Sequence, residues 1–245
     1  MSLQILVSGA TGAVGRTILD VIESDDHLAL AGQATSRHFF EPDVDADVIV
    51  DFSHPELLEQ VVHFAVRRRI PLVTGTTALG QKRQCELYEA AERIAVCQAA
   101  NFSIGVTVLL QLAERATRAL GEDFDIEILE AHHRRKLDAP SGTALWLGET
   151  VARARGHKLA DQAVNDRSGH RRPRTPGEIG FQAIRGGDVA GEHTVYFLAD
   201  GERLELTHRA SDRRVFARGA LLAARRILHE PAGLFSFSDL VLKST

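Results

Sequence analysis

The chain has 245 residues, of which 44% are hydrophobic, and a formal net charge of −4. This length and apolar content allow one large or two small cores, which excludes disorder as the default state. The interspersed charges give no overall attraction to nucleic acid or anionic membranes, and no apolar run approaches a membrane-spanning length. We therefore predict a cytoplasmic protein with neither a nucleic-acid nor a membrane partner.

Cys85 and Cys97 are the only cysteines, and neither lies in a CxxC or Cys/His ligand spacing. This pattern argues against a disulfide framework and against a structural zinc site, so no metal is expected. The segment 170–174 is locally basic, and such clusters are most often solvated loop surface.

The first hundred residues alternate β-rich runs with amphipathic helical stretches, a pattern typical of βαβ units in a parallel sheet. Predicted strands are Leu3–Ser8, Leu28–Ala34, Val48–Asp51, Leu72–Thr74 and Ala95–Gln98. Predicted helices are residues 12–24, 55–68 and 80–92. The fold class is therefore α/β, with a Rossmann-like dinucleotide-binding domain.

From Asn101 the pattern changes to long helices and strands without intervening helices, which indicates a second, α+β domain with a mixed sheet. Predicted helices are residues 104–120, 143–155 and 216–228, and predicted strands are 125–131, 179–184, 193–199 and 203–209. We expect the first domain to comprise residues 1–103 and 213–245, and the second residues 104–212.

A glycine-rich loop follows the first predicted strand and opens the first predicted helix. In that context, missing side chains let the backbone approach a pyrophosphate at a helix N-terminus, so the loop is a candidate dinucleotide site. The alternative is a tight turn alone. The candidate residues are Gly9, Ala10, Thr11, Gly12, Ala13, Val14 and Gly15.

About 20 residues later, the second strand is followed by Thr35, Ser36 and Arg37. Rossmann domains that bind NAD usually carry a carboxylate here, whereas an arginine accommodates the 2′-phosphate of NADP. The residues favour NADPH over NADH, although the same three residues could form an ordinary surface turn.

His132, His133 and Lys136 lie where a predicted strand ends. A histidine titrates near neutrality and can deliver a proton, while a lysine can bind a carboxylate. A lone histidine pair is more often surface or core. Here, however, Ser141 is a candidate N-cap, and Gly142 and Thr143 would offer free backbone donors to an anion at a helix start.

Several short segments of the sequence are distinctive. The most specific are Glu-Ala-His-His at 130–133 and Asp-Ala-Pro-Ser-Gly-Thr at 138–143. The others are the glycine loop, Asp51–Ser53, Gly75–Thr77, Ala99–Ser103 and Gly191–Thr194. In these segments, and along nearly the whole chain, the sequence resembles the dihydrodipicolinate reductase family.

The resemblance implies reduction of 4-hydroxy-tetrahydrodipicolinate, by way of dihydrodipicolinate, to tetrahydrodipicolinate by NADPH or NADH in the diaminopimelate route to lysine. It implies that His132 donates the proton, that Lys136 assists protonation and binding, and that His133, Gly142 and Thr143 hold the substrate. It also implies that the second domain, residues 104–212, binds the substrate and builds a homotetramer through its sheet. Further residues that it places against the cofactor are Phe52, Gly75, Thr76, Thr77, Ala99, Ala100, Asn101 and Phe102.

Two features depart from the family pattern. His54 stands where many members have arginine, which puts a charge contact to the cofactor in doubt, and the segment 34–48 is short, which affects the wall around the adenosine.

Two other functions compete with this reading. A short-chain reductase would need Tyr-x-x-x-Lys, but Tyr88 is followed four residues on by Glu92, and Tyr196 by Asp200. A non-catalytic NADP sensor would have no reason to keep the two histidines and the lysine.

Overall fold

The computed structural model describes residues 2–169 and 172–242. Clustering of the Cα atoms divides the chain into two compact units. The first comprises Met1–Ile104 with Arg213–Thr245, and the second comprises Gly105–Asp212. Of the basic cluster at 170–174, His170 and Arg171 lie outside the described residues.

The first unit contains a six-stranded sheet in which every paired neighbour is parallel. The five strands predicted from the sequence are confirmed at their predicted bounds, and a sixth that was not predicted joins the edge. Labelled in chain order, they are β1 Leu3–Ser8, β2 Leu28–Ala34, β3 Val48–Asp51, β4 Leu72–Thr74, β5 Ala95–Gln98 and β11 Gly233–Ser236, in the order β11-β5-β4-β3-β1-β2.

Helices cover both faces of this sheet. Val48, Ile49 and Val50 have no solvent exposure, as expected for a central parallel strand buried on both sides. The helices are α1 Ala13–Glu23, α2 Pro55–Arg68, α3 Gln81–Ala91, α6 Arg214–Ile227 and α7 Phe237–Val241. One core lies on the side of α1, α6 and α7, and the other on the side of α2 and α3.

The second unit contains a five-stranded mixed sheet, as predicted. Its central strand pairs in parallel with one neighbour and antiparallel with the other. In chain order the strands are β6 Asp125–His132, β7 Ala163–Val164, β8 Ile179–Arg185, β9 Gly191–Ala199 and β10 Glu202–Ala210, in the order β10-β9-β6-β8-β7.

The side chains of β6 alternate between two faces. Ile126, Ile128 and Glu130 are buried on one face, while Asp125 and Glu127 on the other are partly exposed. The apolar residues of the buried face share a core with two helices, α4 Ile104–Leu120 and α5 Gly142–Ala154. This period of two therefore carries Glu130 into the protein interior.

The expectation that the basic loop is solvated surface is wrong for Arg174. Its side chain is only 19% exposed and forms a 2.6 Å ion pair with Asp125. Nearby, Arg172 pairs with Glu178 at 3.0 Å. Hydrogen bonding from Arg167, followed by that from Arg172, lowers the pKa of Glu178 to about 2. The cationic side chains are thus used to tie this loop to the sheet.

None of the helices in the described part of the chain combines the length and apolar character needed to span a bilayer.

Candidate active site

The proton-donor candidate, His132, is the last residue of β6. The backbone around it is held by hydrogen bonds to the segment between β8 and β9. Gly186 N donates to His132 O at 3.0 Å, and His133 N donates to Val189 O at 2.8 Å. The loop after β6 therefore starts from a fixed position.

The imidazole of His132 is held by a buried carboxylate from its own strand. Its Nδ1 lies 2.6 Å from Glu130 Oε2, and the Glu130 side chain is only 1% exposed. Arg185, on β8, donates to both Glu130 oxygens, at 2.7 Å and 2.6 Å. The three side chains form a connected hydrogen-bonded network across two adjacent strands.

Charges and burial set the protonation of this network. Burial raises the pKa of Glu130, but hydrogen bonds from Arg185 and His132 outweigh it and keep that pKa below its usual range. Burial is the largest influence on the pKa of His132 and lowers it; Glu130 raises this pKa, Lys136 and Arg185 lower it, and the net shift is downward. Glu130 is therefore ionised at neutral pH, and His132 is mainly neutral.

Ser141 begins α5 and links it to the same network. Its Oγ accepts from Ala144 N at 3.2 Å, the N-cap interaction expected for serine. Its backbone N donates to Glu130 Oε1 at 3.1 Å, and its Oγ lies 3.0 Å from His193 Nε2. The hydroxyl is thus used within the protein, and Ser141 is 2% exposed.

Gly142 and Thr143 occupy the first turn of α5, where helical N–H groups face the N-terminal end. A Cβ built on Gly142 would meet no atom within 4 Å, so the space above this residue is open. This helix start therefore has the features of a carboxylate site.

Lys136 and His133 lie in the loop between β6 and α5. Lys136 Nζ is 2.9 Å from Asp138 Oδ1, and the lysine side chain is 21% exposed. This hydrogen bond lowers the pKa of Asp138. His133 Nδ1 is buried without a hydrogen-bond partner among the described residues, so this nitrogen can accept a new one.

Sequence reasoning gave no individual role to four residues of this site: Glu130, Arg185, Gly191 and His193. The contacts of the last three depend on the pairing of β6 with β8 and β9, which sequence spacing does not reveal. A Cβ at Gly191 would lie 3.2 Å from His132 Nε2, so glycine leaves room beside the ring. Motif membership was the available signal, since Gly191 and His193 belong to the Gly-Glu-His-Thr segment.

In the first unit, the glycine loop connects β1 to α1. Gly9 has a φ of 77°, and a Cβ there would lie 2.2 Å from Phe52 O. A Cβ at Gly15 would lie 2.1 Å from Gly9 O. Thr11, Gly12 and Ala13 are exposed, whereas Ala10 is buried and Val14 is partly buried. The inner side of the loop packs closely against backbone atoms, whereas its outer side is open to solvent, and no side chain caps the helix at Gly12. A phosphate could therefore approach the backbone from the outer side.

Hydroxyl groups surround a buried carboxylate at the ends of β3 and β4. Asp51 has no solvent exposure and accepts from Ser53, Thr74 and Thr76 hydroxyls at 2.5, 2.8 and 2.6 Å. Thr76 Oγ1 also accepts from Ser53 N at 3.0 Å. These bonds fix the loop that begins at Gly75.

The aromatic candidates do not share one environment. Phe102 is 1% exposed and packs between Phe52 and Phe237, so its ring belongs to the core. Phe52 is partly buried, and its ring occupies the space that a Cβ at Gly75 would need. Thr77 and Ala100 are exposed, while Ala99 and Asn101 are partly exposed.

Thr35, Ser36 and Arg37 form a compact turn after β2. Thr35 Oγ1 accepts from Arg37 N and His38 N, each at 3.2 Å. Ser36 and Arg37 are exposed. Phe39 and Phe40 follow and pack on Phe64, which anchors the short 34–48 segment.

His54 is the N-cap of α2, and its Nδ1 lies 2.8 Å from Glu56 Oε2. The residue therefore has a local structural use at the start of α2. Within residues 2–169 and 172–242, no group of three or more His, Cys, Asp or Glu side chains is arranged to hold a metal ion.

Comparison with known proteins extends over both units. The dihydrodipicolinate reductase N-terminal family matches residues 3–102, and the C-terminal family matches residues 105–241. The 4-hydroxy-tetrahydrodipicolinate reductase of Halorhodospira halophila is 45% identical over 265 residues, covering 98% of this chain and 99% of the relative. The reductase of the same name from Pseudoalteromonas translucida is 40% identical, with 97% of each chain covered.

Among solved structures, dipicolinate-bound dihydrodipicolinate reductase from Paenisporosarcina sp. TG-14 has a TM-score of 0.78 with 20% identity. The alignment covers 98% of this chain and all of that one, which shows a shared fold. Together with the sequence matches, this establishes that the chain belongs to the dihydrodipicolinate reductase family.

Proposed function

We propose that the protein reduces 4-hydroxy-tetrahydrodipicolinate to tetrahydrodipicolinate with a nicotinamide cofactor, in the diaminopimelate route to lysine. One observation carries the proposal. The carboxylate of Glu130 binds both the ring of His132 and the backbone N–H of Ser141. The side chain of Glu130 therefore holds both the proposed proton donor and the helix start proposed to bind a carboxylate.

The substrate is a dicarboxylate, and the second unit offers matching groups. The N–H groups of Gly142 and Thr143 bind one carboxylate, while Lys136 exchanges its bond to Asp138 for a bond to the substrate. His133 contributes its Nδ1. Ser141 acts by shaping the helix start, since its hydroxyl is already bonded to Ala144 N and His193.

His132 supplies the proton that the reduction requires. The unsaturated ring that is reduced is dihydrodipicolinate, which forms when 4-hydroxy-tetrahydrodipicolinate loses water. When bound, the dihydronicotinamide would supply a hydride to C4 of this ring, and the adjacent carbon takes up the proton. The substrate carboxylates favour the protonated form of His132, which offsets the effect of its burial. Donors at the α5 start stabilise the negative charge that builds during reduction.

We propose that the first unit, residues 1–103 with 213–245, binds the cofactor, and that residues 104–212 bind the substrate. The residues present fit a dinucleotide. The open loop from Gly9 to Gly15 would hold the pyrophosphate, and Thr35, Ser36 and Arg37 would hold a 2′-phosphate, which favours NADPH. Residues 75–77 and 99–102 would line the nicotinamide end, with the ring of Phe102 acting from the core.

The decisive experiment follows NADPH absorbance at 340 nm after addition of the condensation product of pyruvate and aspartate semialdehyde. Oxidation supports the proposed reaction. Nucleotide binding without oxidation at any pH from about 5 to 9 would instead favour a non-catalytic sensor.

Cofactor preference is tested by parallel titrations of NADPH and NADH. The Arg37→Ala variant should raise the KM for NADPH by at least about tenfold, because a charge-assisted phosphate contact is lost. The KM for NADH should not change. Equal or better efficiency of the wild type with NADH would contradict the preference.

We also propose a homotetramer in the cytoplasm. The five-stranded sheet supports the homotetramer, because Arg203, Glu205 and Thr207 on the outward face of its edge strand β10 are exposed. Sedimentation velocity at micromolar concentration measures the mass directly. The exposed, unpaired Cys85 suits a compartment in which thiols stay reduced.

A further inference from the structure

The side chain of Arg185 makes four hydrogen bonds beside the proposed proton donor. Besides both oxygens of Glu130, its guanidinium binds Ile184 O at 2.7 Å and Asp138 O at 2.6 Å. The side chain is 20% exposed. It therefore joins β8 to β6 and to the loop that carries Lys136.

Arg185 also fixes how Glu130 presents its two oxygens. One oxygen accepts from Arg185 and His132 Nδ1, and the other accepts from Arg185 and Ser141 N. A planar guanidinium can hold both oxygens at once, whereas an ammonium group makes a point contact. The carboxylate plane is thereby locked with one edge on the ring and the other on the helix start.

This orientation determines which nitrogen of His132 is available. An ionised carboxylate at 2.6 Å is an acceptor, so Nδ1 carries the proton in that bond. Nε2 is the remaining nitrogen, and it lies beside Gly191. If the carboxylate rotated, the ring would lose both its tautomer and its direction.

We propose that Arg185 is a positioning residue for proton transfer: through bidentate bonding to Glu130, it keeps His132 Nε2 directed at the substrate and keeps Ser141–Thr143 in register with it. The proposal rests on the proposed reductase function. Arg185 itself touches neither substrate nor cofactor in this role.

The charged and titratable groups around His132 come from four segments. Glu130 lies on its own strand, Arg185 on β8 and His193 on β9, with the ring centroids of His132 and His193 5.2 Å apart. Lys136 approaches from the following loop. The positive charge of Arg185 lowers the pKa of His132, and Glu130 raises it. Removing the charge of Arg185 should therefore move the pH profile of kcat/KM to higher pH, whereas removing the charge of Glu130 should move it to lower pH.

The test starts with the wild type, assayed by NADPH oxidation as above. Three variants follow: Arg185→Lys, Arg185→Met and, as a matched control, Arg118→Met. Arg118 lies on α4, is 63% exposed and forms an ion pair with Glu114 at 2.8 Å. Circular dichroism, NADPH affinity and kcat/KM from pH 5.5 to 9.5 are measured for each.

We expect Arg185→Lys to lower kcat by about 10–100-fold, because the charge remains but the carboxylate is no longer locked. The alkaline limb of kcat/KM should stay in place. Arg185→Met should lower kcat at least as much and move that limb to higher pH. Arg118→Met should match the wild type, and NADPH affinity should be unchanged throughout.

A folded Arg185→Lys variant with wild-type kcat would overturn the proposal. So would a loss of kcat in Arg185→Met that merely follows the fraction of folded protein, with an unchanged pH profile. If Arg185→Met does not fold, Glu130→Gln replaces it, and its alkaline limb should move to lower pH. A wild type that oxidises no NADPH refutes the reductase function instead, which keeps the two failures distinct.

Discussion

The two candidate sites of this protein are built by different means. The nucleotide site of the first unit depends on missing side chains and on hydroxyl groups that bond a buried Asp51. The site of the second unit depends on a buried network of charged and polar side chains that joins three strands and a helix start. Close backbone approach is a local property of sequence, whereas a charge network depends on strand order.

The largest effect should come from His132, the proposed proton donor in the second unit. We expect His132→Gln to lower kcat by about 10²–10⁴-fold, with little change in the substrate KM, because general acid catalysis acts in the transition state. Steady-state kinetics at varied substrate concentration measure both kcat and the substrate KM. An unchanged kcat would show that His132 and its charge network take no part in catalysis, so the contrast between the two sites would not hold.

The next effect concerns stability against pH. Burial, followed by the charge of His132, lowers the pKa of His193 to about 4. Below about pH 6.5, His193 therefore binds a proton in the unfolded state, whereas in the folded state it stays neutral until the pH approaches 4. The contribution of His193 to the free energy of unfolding is present above about pH 6.5 and is lost as the pH falls towards 4. The difference corresponds to about 3 kcal/mol.

Urea unfolding at pH 7.5 and 4.0 measures that loss. The His193→Gln variant should lose about 3 kcal/mol less than the wild type between these two values, since it lacks the titrating group. Equal losses would show that His193 does not titrate as its burial implies.

A substitution in the first unit should act through space. Gly15→Ala would place a Cβ 2.1 Å from Gly9 O, which forces the loop to shift. We expect a loss of about 1–3 kcal/mol in unfolding free energy, together with weaker NADPH binding. Gly80→Ala is the matched control, because its Cβ would meet no atom within 4 Å. Equal NADPH affinity in both variants would contradict the role of the glycine loop.

The smallest effect concerns the bond between Lys136 and Asp138. Asp138 is 58% exposed, and exposed ion pairs contribute at most about 1 kcal/mol. Asp138→Asn should free Lys136 for the substrate and lower the substrate KM by up to about fivefold. A higher KM would mean that Asp138 orients the lysine rather than competing for it.

Much of the fold follows from local sequence. Strands such as Val48–Asp51 were predicted at their observed bounds, because a short apolar run between turn signals is a strong indication of a buried parallel strand. Gly233–Ser236 and Phe237–Val241 were not predicted, since they are short and mix apolar residues with glycine, serine and aspartate, so neither forms a continuous apolar run. A capping signal was nevertheless present: Ser236 and Asp239 form a capping box.

The candidate site was only partly predictable. His132, Lys136 and the start of α5 are close in sequence, so motif reasoning could group them. Arg185 is 55 residues from Glu130, and His193 is 52 residues from Ser141. Only the order of strands in the second sheet brings these residues together, and strand order is a tertiary property.

The shared carboxylate of Glu130 has a consequence for how this site can evolve. Its hydrogen bonds link the ring of His132, the proposed proton donor, with the start of α5, the proposed substrate site. If both roles hold, a mutation that reshapes the start of α5 for a longer or bulkier dicarboxylate also disturbs His132. Single substitutions there should therefore seldom broaden specificity without loss of rate. Variant libraries that randomise residues 141–143 together with Glu130 and Arg185 should therefore yield active enzymes more often than libraries confined to the helix start.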